Sequence, residues 1–361
     1  MYCHFSSPNK AASDNRNHRS TSGFCFVSCR ENNNAFTLVE VLVGCAVLVL
    51  LLVMLMTMTN HTTAIVRTAS SRVDAFQTAR MAFDTITRRL SQATMNTYWD
   101  YYNSTNQRRD PSATSGPTSS GSFVPATYGR ASDLHFLIQA NSHLGQSVYF
   151  AAPEARSADT KKDQTQGLLN AIGYFVQYGG DDAFRPGLIA KPRYRYRLMQ
   201  AIQPTENFQI YSSGSSSWVP APNGAAGSAW PVADNVIALI AWPRLSAIED
   251  VSGTSISANY QYDSRTTPPT SGKLPIQYAQ MPPDVQVTMV VIDESSAVRM
   301  DTASGTTEPK VISDALTGLF ADVTKYQQDL DALTGALSRA HINYEVFSSM
   351  VSLRESKWSS Q

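Results

Sequence analysis

Cysteine is missing from most of this chain. The 361 residues hold four, Cys3, Cys25, Cys29 and Cys45, and none follows Cys45. A disulfide framework is therefore excluded for everything beyond that point. The Cys25–Cys29 spacing could begin a metal site, but no second His or Cys pair stands nearby to complete it. Charge is scarce as well: charged residues make up 16%, against about a quarter in an average soluble domain. Lys plus Arg and Asp plus Glu number 29 each, so the basic surplus of a nucleic-acid binder is absent. Ser, Thr, Asn, Gln and Tyr fill the space. That composition suits a β-rich protein outside the cytoplasm with long polar loops.

Catalytic signatures are lacking too. There is no His-Glu-x-x-His, no Gly-x-Ser-x-Gly, no phosphate-binding loop and no Gly-rich dinucleotide turn. The six histidines, His4, His18, His61, His135, His143 and His341, are scattered. His135 and His143 straddle a strand and a loop, a poor spacing for a metal pair. Acidic pairs stand at Asp181-Asp182 and Asp293-Glu294. Two adjacent carboxylates supply only a start toward the six or more oxygens that calcium takes, so a solvated turn is the plainer reading. The sequence thus points away from an enzyme.

Residues 36–58, FTLVEVLVGCAVLVLLLVMLMTM, are a long apolar run. It matches the ~20 residues that a membrane-spanning helix needs. It exceeds the apolar region of a secretory signal peptide, and no small-residue cleavage site follows it. One charge interrupts it, Glu40. A carboxylate in hydrocarbon costs a few kcal/mol unless it finds a partner or reaches the headgroups.

The segment Asn34-Ala35-Phe36-Thr37-Leu38-Val39-Glu40, followed at once by the apolar run, resembles the type IV prepilin signature. The resemblance implies that a dedicated prepilin peptidase cuts between Ala35 and Phe36. The new N-terminal amine is then methylated, and Glu40 becomes the fifth residue of the mature chain. An ammonium and a carboxylate, both stranded in hydrocarbon, lower each other's desolvation cost when they pair between subunits. Such a pair would also fix the register of one pilin-like subunit against the next. One departure concerns residue 35. The family usually has Gly before the cut, and this chain has Ala35, the next smallest side chain. Removing residues 1–35 leaves 25 basic and 27 acidic residues, a net charge of −2. Basic residues flank the span on both sides, Arg16, Arg19 and Arg30 before it and Arg67 and Arg72 after it. Orientation therefore rests on the motif, not on charge asymmetry.

Apolar positions continue at helical spacing beyond the span: Val66, Ala69, Val73, Phe76, Ala79, Phe83, Ile86, Leu90 and Ala93. The steps of three and four predict one stripe on one helix, unbroken by Pro or Gly to about Asn96. A coiled-coil stalk would give the same stripe but would not account for Phe36 and Glu40 together. Strand-like segments follow, at Leu134–Gln139, Ser147–Phe150, Ile172–Tyr178, Tyr194–Ala201, Val236–Trp242 and Val285–Ile292. Polar loops separate them, at Asn103–Gly121, Ser212–Gly227, Ser252–Ser271 and Asp301–Glu308. Tyr194-Arg195-Tyr196-Arg197-Leu198 alternates ring with charge and reads as a strand with one wet face. Ile312, Leu316, Leu319, Val323, Tyr326, Leu330, Leu333 and Leu337 form a second helical stripe. It is weakened by Gly318 and Gly335 and is expected to pack on the chain's own sheet. Tyr344–Leu353 reads as a closing strand.

The fold expected is α+β: a long N-terminal helix, transmembrane in its first half, packed on a mainly antiparallel, pilin-like sheet domain. Its parts are a leader over 1–35, a transmembrane helix over 36–59 and an amphipathic extension over 60–97. A periplasmic domain over 98–361 follows, with a C-terminal helix near 311–339. The order of elements resembles the larger minor pseudopilins of type II secretion, the J type especially. The long leader, the size and the Val346–Trp358 ending VFSSMVSLRESKW resemble the Verru_Chthon cassette protein C family. These resemblances imply a structural subunit with four kinds of partner: prepilin peptidase, other pilin-like subunits, an inner-membrane assembly platform and membrane lipid. They place it in the bacterial inner membrane as a single-pass protein with its domain in the periplasm. No cofactor is implied beyond a calcium ion at Gly180-Asp181-Asp182, since some pseudopilins bind one. The alternative is an adhesin or binding protein on the same anchor.

Overall fold

The computed structural model describes residues 37–359, apart from 160, 163, 164, 166, 190, 212–217, 220–228, 247, 251, 252, 267 and 271. The leader, Ala35 and Phe36 lie outside the described residues, as does most of the Ser212–Gly227 loop. The chain divides into two units, Met1–His61 and Thr62–Gln361.

In the first unit the described residues after Thr37 belong to helix α1, which spans Leu38–Leu90 and so runs on into the second. No Pro interrupts it, and Ala, Leu, Met and Arg recur along its length. Within it, Leu38–Val66 is long and apolar enough to cross a membrane, judged by length and composition. Its large apolar side chains are exposed from Leu38 to Met58. Water would penalise such a surface heavily, whereas lipid would cover it.

In the second unit the rest of α1 becomes amphipathic. Ala79, Ala82, Phe83, Ile86 and Leu90 are buried, and Phe76 packs partly against them. The expected stripe is thus buried only from Phe76 onward, because Val66 and Val73 are exposed. The helix also ends earlier than the expected run to about Asn96. After Leu90 the Ala93 N–H bonds back to Leu90 O, and the Thr94 N–H bonds to Ala151 O at 2.8 Å. A strand there captures the backbone that would otherwise have continued the helix.

All six expected strands are present. They are β3 (Leu137–Ala140), β4 (Gln146–Pro153), β5 (Leu169–Gly179), β6 (Arg195–Gln203), β8 (Val236–Arg244) and β10 (Asp284–Ile292). The closing strand is β11, Tyr344–Ser352. Four further strands carry weaker signals: β1 (Tyr98–Tyr102), β2 (Thr127–Ala131), β7 (Ala229–Asp234) and β9 (Tyr262–Asp263). All named strand pairs are antiparallel. One sheet runs β7-β6-β5-β4-β3-β9, a second runs β11-β10-β8, and β1-β2 is a separate ribbon. β8 is buried from Val236 to Trp242, which is why its sequence is a continuous apolar run and not an alternating one. The architecture is α+β: a long apolar N-terminal helix followed by antiparallel sheets.

Strand β6 has no wet face, since every residue from Arg195 to Met199 is buried. The C-terminal helix near 311–339 is two helices, α3 (Lys310–Leu316) and α4 (Tyr326–Arg339). Between them Gly318 takes φ +80°, which other residues rarely adopt, and the Phe320 N–H binds Asp329 Oδ2 at 2.8 Å. The stripe still faces the chain's own core, with Ile312, Leu316, Val323, Leu333 and Leu337 buried. A helix the sequence reading missed, α2, spans Glu294–Ser304 and absorbs the start of the expected Asp301–Glu308 loop.

Candidate functional site

Glu40 stands in the first turn of α1. The Thr37 N–H and hydroxyl both donate to Glu40 Oε2, at 3.2 and 3.1 Å, while the Glu40 N–H approaches Thr37 Oγ1 at 3.3 Å. This reciprocal arrangement is a capping box, and it satisfies backbone N–H groups that a helix start leaves without partners. The helix dipole there also favours a negative charge. The Thr-x-x-Glu spacing was a sequence signal for this pairing and went unread. Only Oε2 is engaged by Thr37, so the carboxylate can accept a further donor.

Of the other residues singled out in the sequence, Cys3, Cys25, Cys29, His4 and His18 lie outside the described residues. The described ones do not form a catalytic or metal centre. Among the described residues no group of three or more His, Cys, Asp or Glu is placed to hold a metal ion. His135 and His143 take separate partners. His135 Nε2 lies 2.7 Å from Asp263 Oδ1, and His143 Nε2 lies 2.7 Å from Glu308 Oε1. Trp218 Nε1–H sits 3.0 Å from His135 Nδ1. An indole N–H only donates, so Nδ1 accepts and the Nε2–H donates to Asp263.

Asp181 is not in a solvated turn. It is 2% exposed. Its Oδ1 accepts from Arg185 Nη1 at 2.9 Å and from the Arg193 N–H at 3.0 Å, and its Oδ2 accepts from Arg193 Nε at 3.3 Å. Burial pushes its pKa up, but the Arg193 and Arg185 hydrogen bonds and the Arg185 charge outweigh that and hold it below the usual range. A calcium ion would have to displace two guanidinium groups. Asp293 caps helix α2, accepting from the Ser296 N–H at 3.0 Å and from Asn343 Nδ2 at 3.0 Å.

The arginines of β6 are buried in place of the expected wet face, and the carboxylates they reach stay partly exposed. Arg197, 3% exposed, meets Asp234 Oδ1 at 3.0 Å, Gly179 O at 2.7 Å and Arg193 O at 3.0 Å. Arg195, 4% exposed, reaches Asp301 at 2.8 Å and Glu294 at 3.3 Å. These contacts tie β6 to β7 and α2 and are structural.

Residues 30–56 match the family described as "Prokaryotic N-terminal methylation motif". Ala35, Phe36 and Glu40 all fall within that match. No curated protein matches the chain. Among solved structures, a type IV-like pilin from Thermus thermophilus aligns over 62% of this chain and 84% of its own. It does so at 10% identity and a TM-score of 0.25.

Proposed function

We propose that this chain is a structural subunit of a pilin-like filament, of the minor pseudopilin kind, and not an enzyme. Prepilin peptidase would remove residues 1–35 by cutting between Ala35 and Phe36. The apolar part of α1 would then leave the lipid to pack with sister helices, and Glu40 would pair with the N-terminal amine of a neighbour. The observation that carries this reading is the match to the methylation motif over residues 30–56; it includes Glu40, which stands in the first turn of an exposed apolar helix. An inner-membrane assembly platform would supply the extraction force. The domain would face the periplasm, its bulk suiting the filament tip. The J-type and cassette protein C resemblances belong to this proposal. N-terminal mass spectrometry of protein extracted from the native membrane tests it. A mature chain beginning at Phe36, with a methylated amine, supports the reading. A chain that keeps its leader would overturn it.

A second reading, an adhesive protein on the same anchor, is favoured by one feature. Trp99, Tyr101 and Tyr128 are exposed together on the β1–β2 ribbon, with Tyr128 centred 5.4 Å from Trp99 and 5.1 Å from Tyr101. Glycan-array binding lost in Trp99→Ala but kept in Glu40→Ala would favour it.

A further inference from the structure

The edges of the sheets differ in how they are protected. An edge strand exposes a row of unpaired N–H and C=O groups that another chain can pair with, and proteins usually blunt it. In the six-stranded sheet, β7 carries Pro231 and a register irregularity, and β9 has only two residues. In the three-stranded sheet the outer side of β8 is occupied. The Leu239 N–H donates to Leu144 O at 3.2 Å and the Ala241 N–H to Gln146 Oε1 at 3.1 Å.

β11 has none of these devices. It is nine residues long, YEVFSSMVS, and pairs with β10 along its whole length without a bulge. It contains no Pro, no Lys and no Arg, and its one acidic residue is Glu345 at the start. Among the described residues, no backbone group of β11 bonds to anything outside the β10 ladder except Met350 O, which meets the neighbouring Ser349 hydroxyl at 3.5 Å. Glu345, Ser348, Met350 and Ser352 are exposed. The strand is also held rigid. Phe347 packs on Phe83 of α1, and the Thr288 hydroxyl links Ser348 Oγ (2.9 Å) to Tyr326 OH of α4 (2.7 Å). A strand of nine residues offers an outer edge of about 30 Å.

We propose that the outer edge of β11 is a docking edge for an extended segment of another protein, which adds to the β11-β10-β8 sheet as a further strand. Backbone hydrogen bonds supply the affinity and alternate side chains the selectivity. The segment is uncharged where it faces Val346–Ser352, because β11 offers no charge there to pair with. A second copy of this chain is the poorer occupant. Antiparallel pairing of β11 with itself has a two-fold axis perpendicular to the sheet. That axis reverses the part of α1 packed on the sheet, whereas two chains anchored in one membrane must enter it the same way. That step alone rests on the proposed function.

The test uses the full-length chain in its native membrane. A photo-crosslinking amino acid, p-benzoylphenylalanine, replaces Glu345, Ser348 or Met350 in turn, and crosslinked peptides are sequenced. The expected result is one segment of one other protein, hit in regular order as the probe moves along β11. Ser348→Lys, added to the Met350 probe, should reduce that crosslink about tenfold by putting a charge at the docking edge. Ser348→Ala, which gives up the same Thr288 hydrogen bond without adding a charge, should leave the crosslink unchanged. Crosslinks confined to the chain's own residues, to β11 of a second copy or to partner sites in no order would overturn the proposal. So would a crosslink indifferent to Ser348→Lys. N-terminal processing is read separately on the same material, so failure here leaves the filament reading standing.

Discussion

At the scale of single residues, the side chains that matter most divide by how far away their partners are. Glu40 and Thr37 are three apart, and everything that marks them is local: the motif, the apolar run and the capping spacing. Glu40→Ala is expected to leave the chain in the membrane fraction while crosslinking to sister subunits falls at least about tenfold, the equivalent of about 1.4 kcal/mol. Assembly at the normal level would defeat the proposed role. Thr37→Val removes only the cap and should destabilise the helix start by about 1 kcal/mol. Arg197 is the opposite case, since Asp234 lies 37 positions away and no local pattern joins them. Period-two alternation puts Arg195 and Arg197 on one face but says nothing of what covers that face. Arg197→Lys keeps the charge and loses the fork that reaches Asp234, Gly179 O and Arg193 O together. It should destabilise the domain by about 2 kcal/mol, read as a lower urea midpoint.

At the scale of elements, periodicity located α1 and the principal strands but not where each stops being buried. Val66, Val73, Phe83 and Ile86 fit one stripe equally well in sequence, yet only the last two have the domain behind them. The distinction comes from tertiary packing, which supplies most helical stability. Ile86→Ala, at 2% exposure, should lower domain stability by about 2–5 kcal/mol. Val73→Ala should change it by less than about 0.5 kcal/mol. Urea denaturation of detergent-solubilised protein checks both, and equal losses would contradict the burial pattern. The α3–α4 break was hidden for a related reason. The apolar steps of three and four continue across Gly318, and the bend is fixed by a positive φ and by Asp329 holding Phe320 N–H. The β1–β2 ribbon was illegible because its second strand, TYGRA, has neither a run nor an alternation to betray it.

At the scale of the whole molecule, acid should undo what these distant contacts hold together. Three aspartates in separate parts of the domain have lowered pKa values: Asp181 after β5, Asp263 on β9 and Asp293 at the start of α2. In each, burial pushes the value up and is outweighed. For Asp181 the opposing groups are Arg193 and Arg185. For Asp263 they are His135 and Arg265, and for Asp293 they are Ser295, Ser296 and Asn343. An unfolded aspartate titrates at about 3.9, so between that value and the lower folded ones the unfolded chain binds more protons. Stability from these groups is therefore complete above the unfolded value and is lost as the pH falls through the folded values. The urea midpoint should be level from about pH 7 to 5 and fall steeply below about pH 4. Asp181→Asn should lower the midpoint at neutral pH, since Arg185 and Arg193 lose their anion, and should make the acid slope shallower. A slope unchanged by that substitution would mean that Asp181 contributes nothing to acid sensitivity. The loss would then come from the other carboxyl groups held below their usual range, Asp263 and Asp293 among them, which the corresponding Asn substitutions would separate.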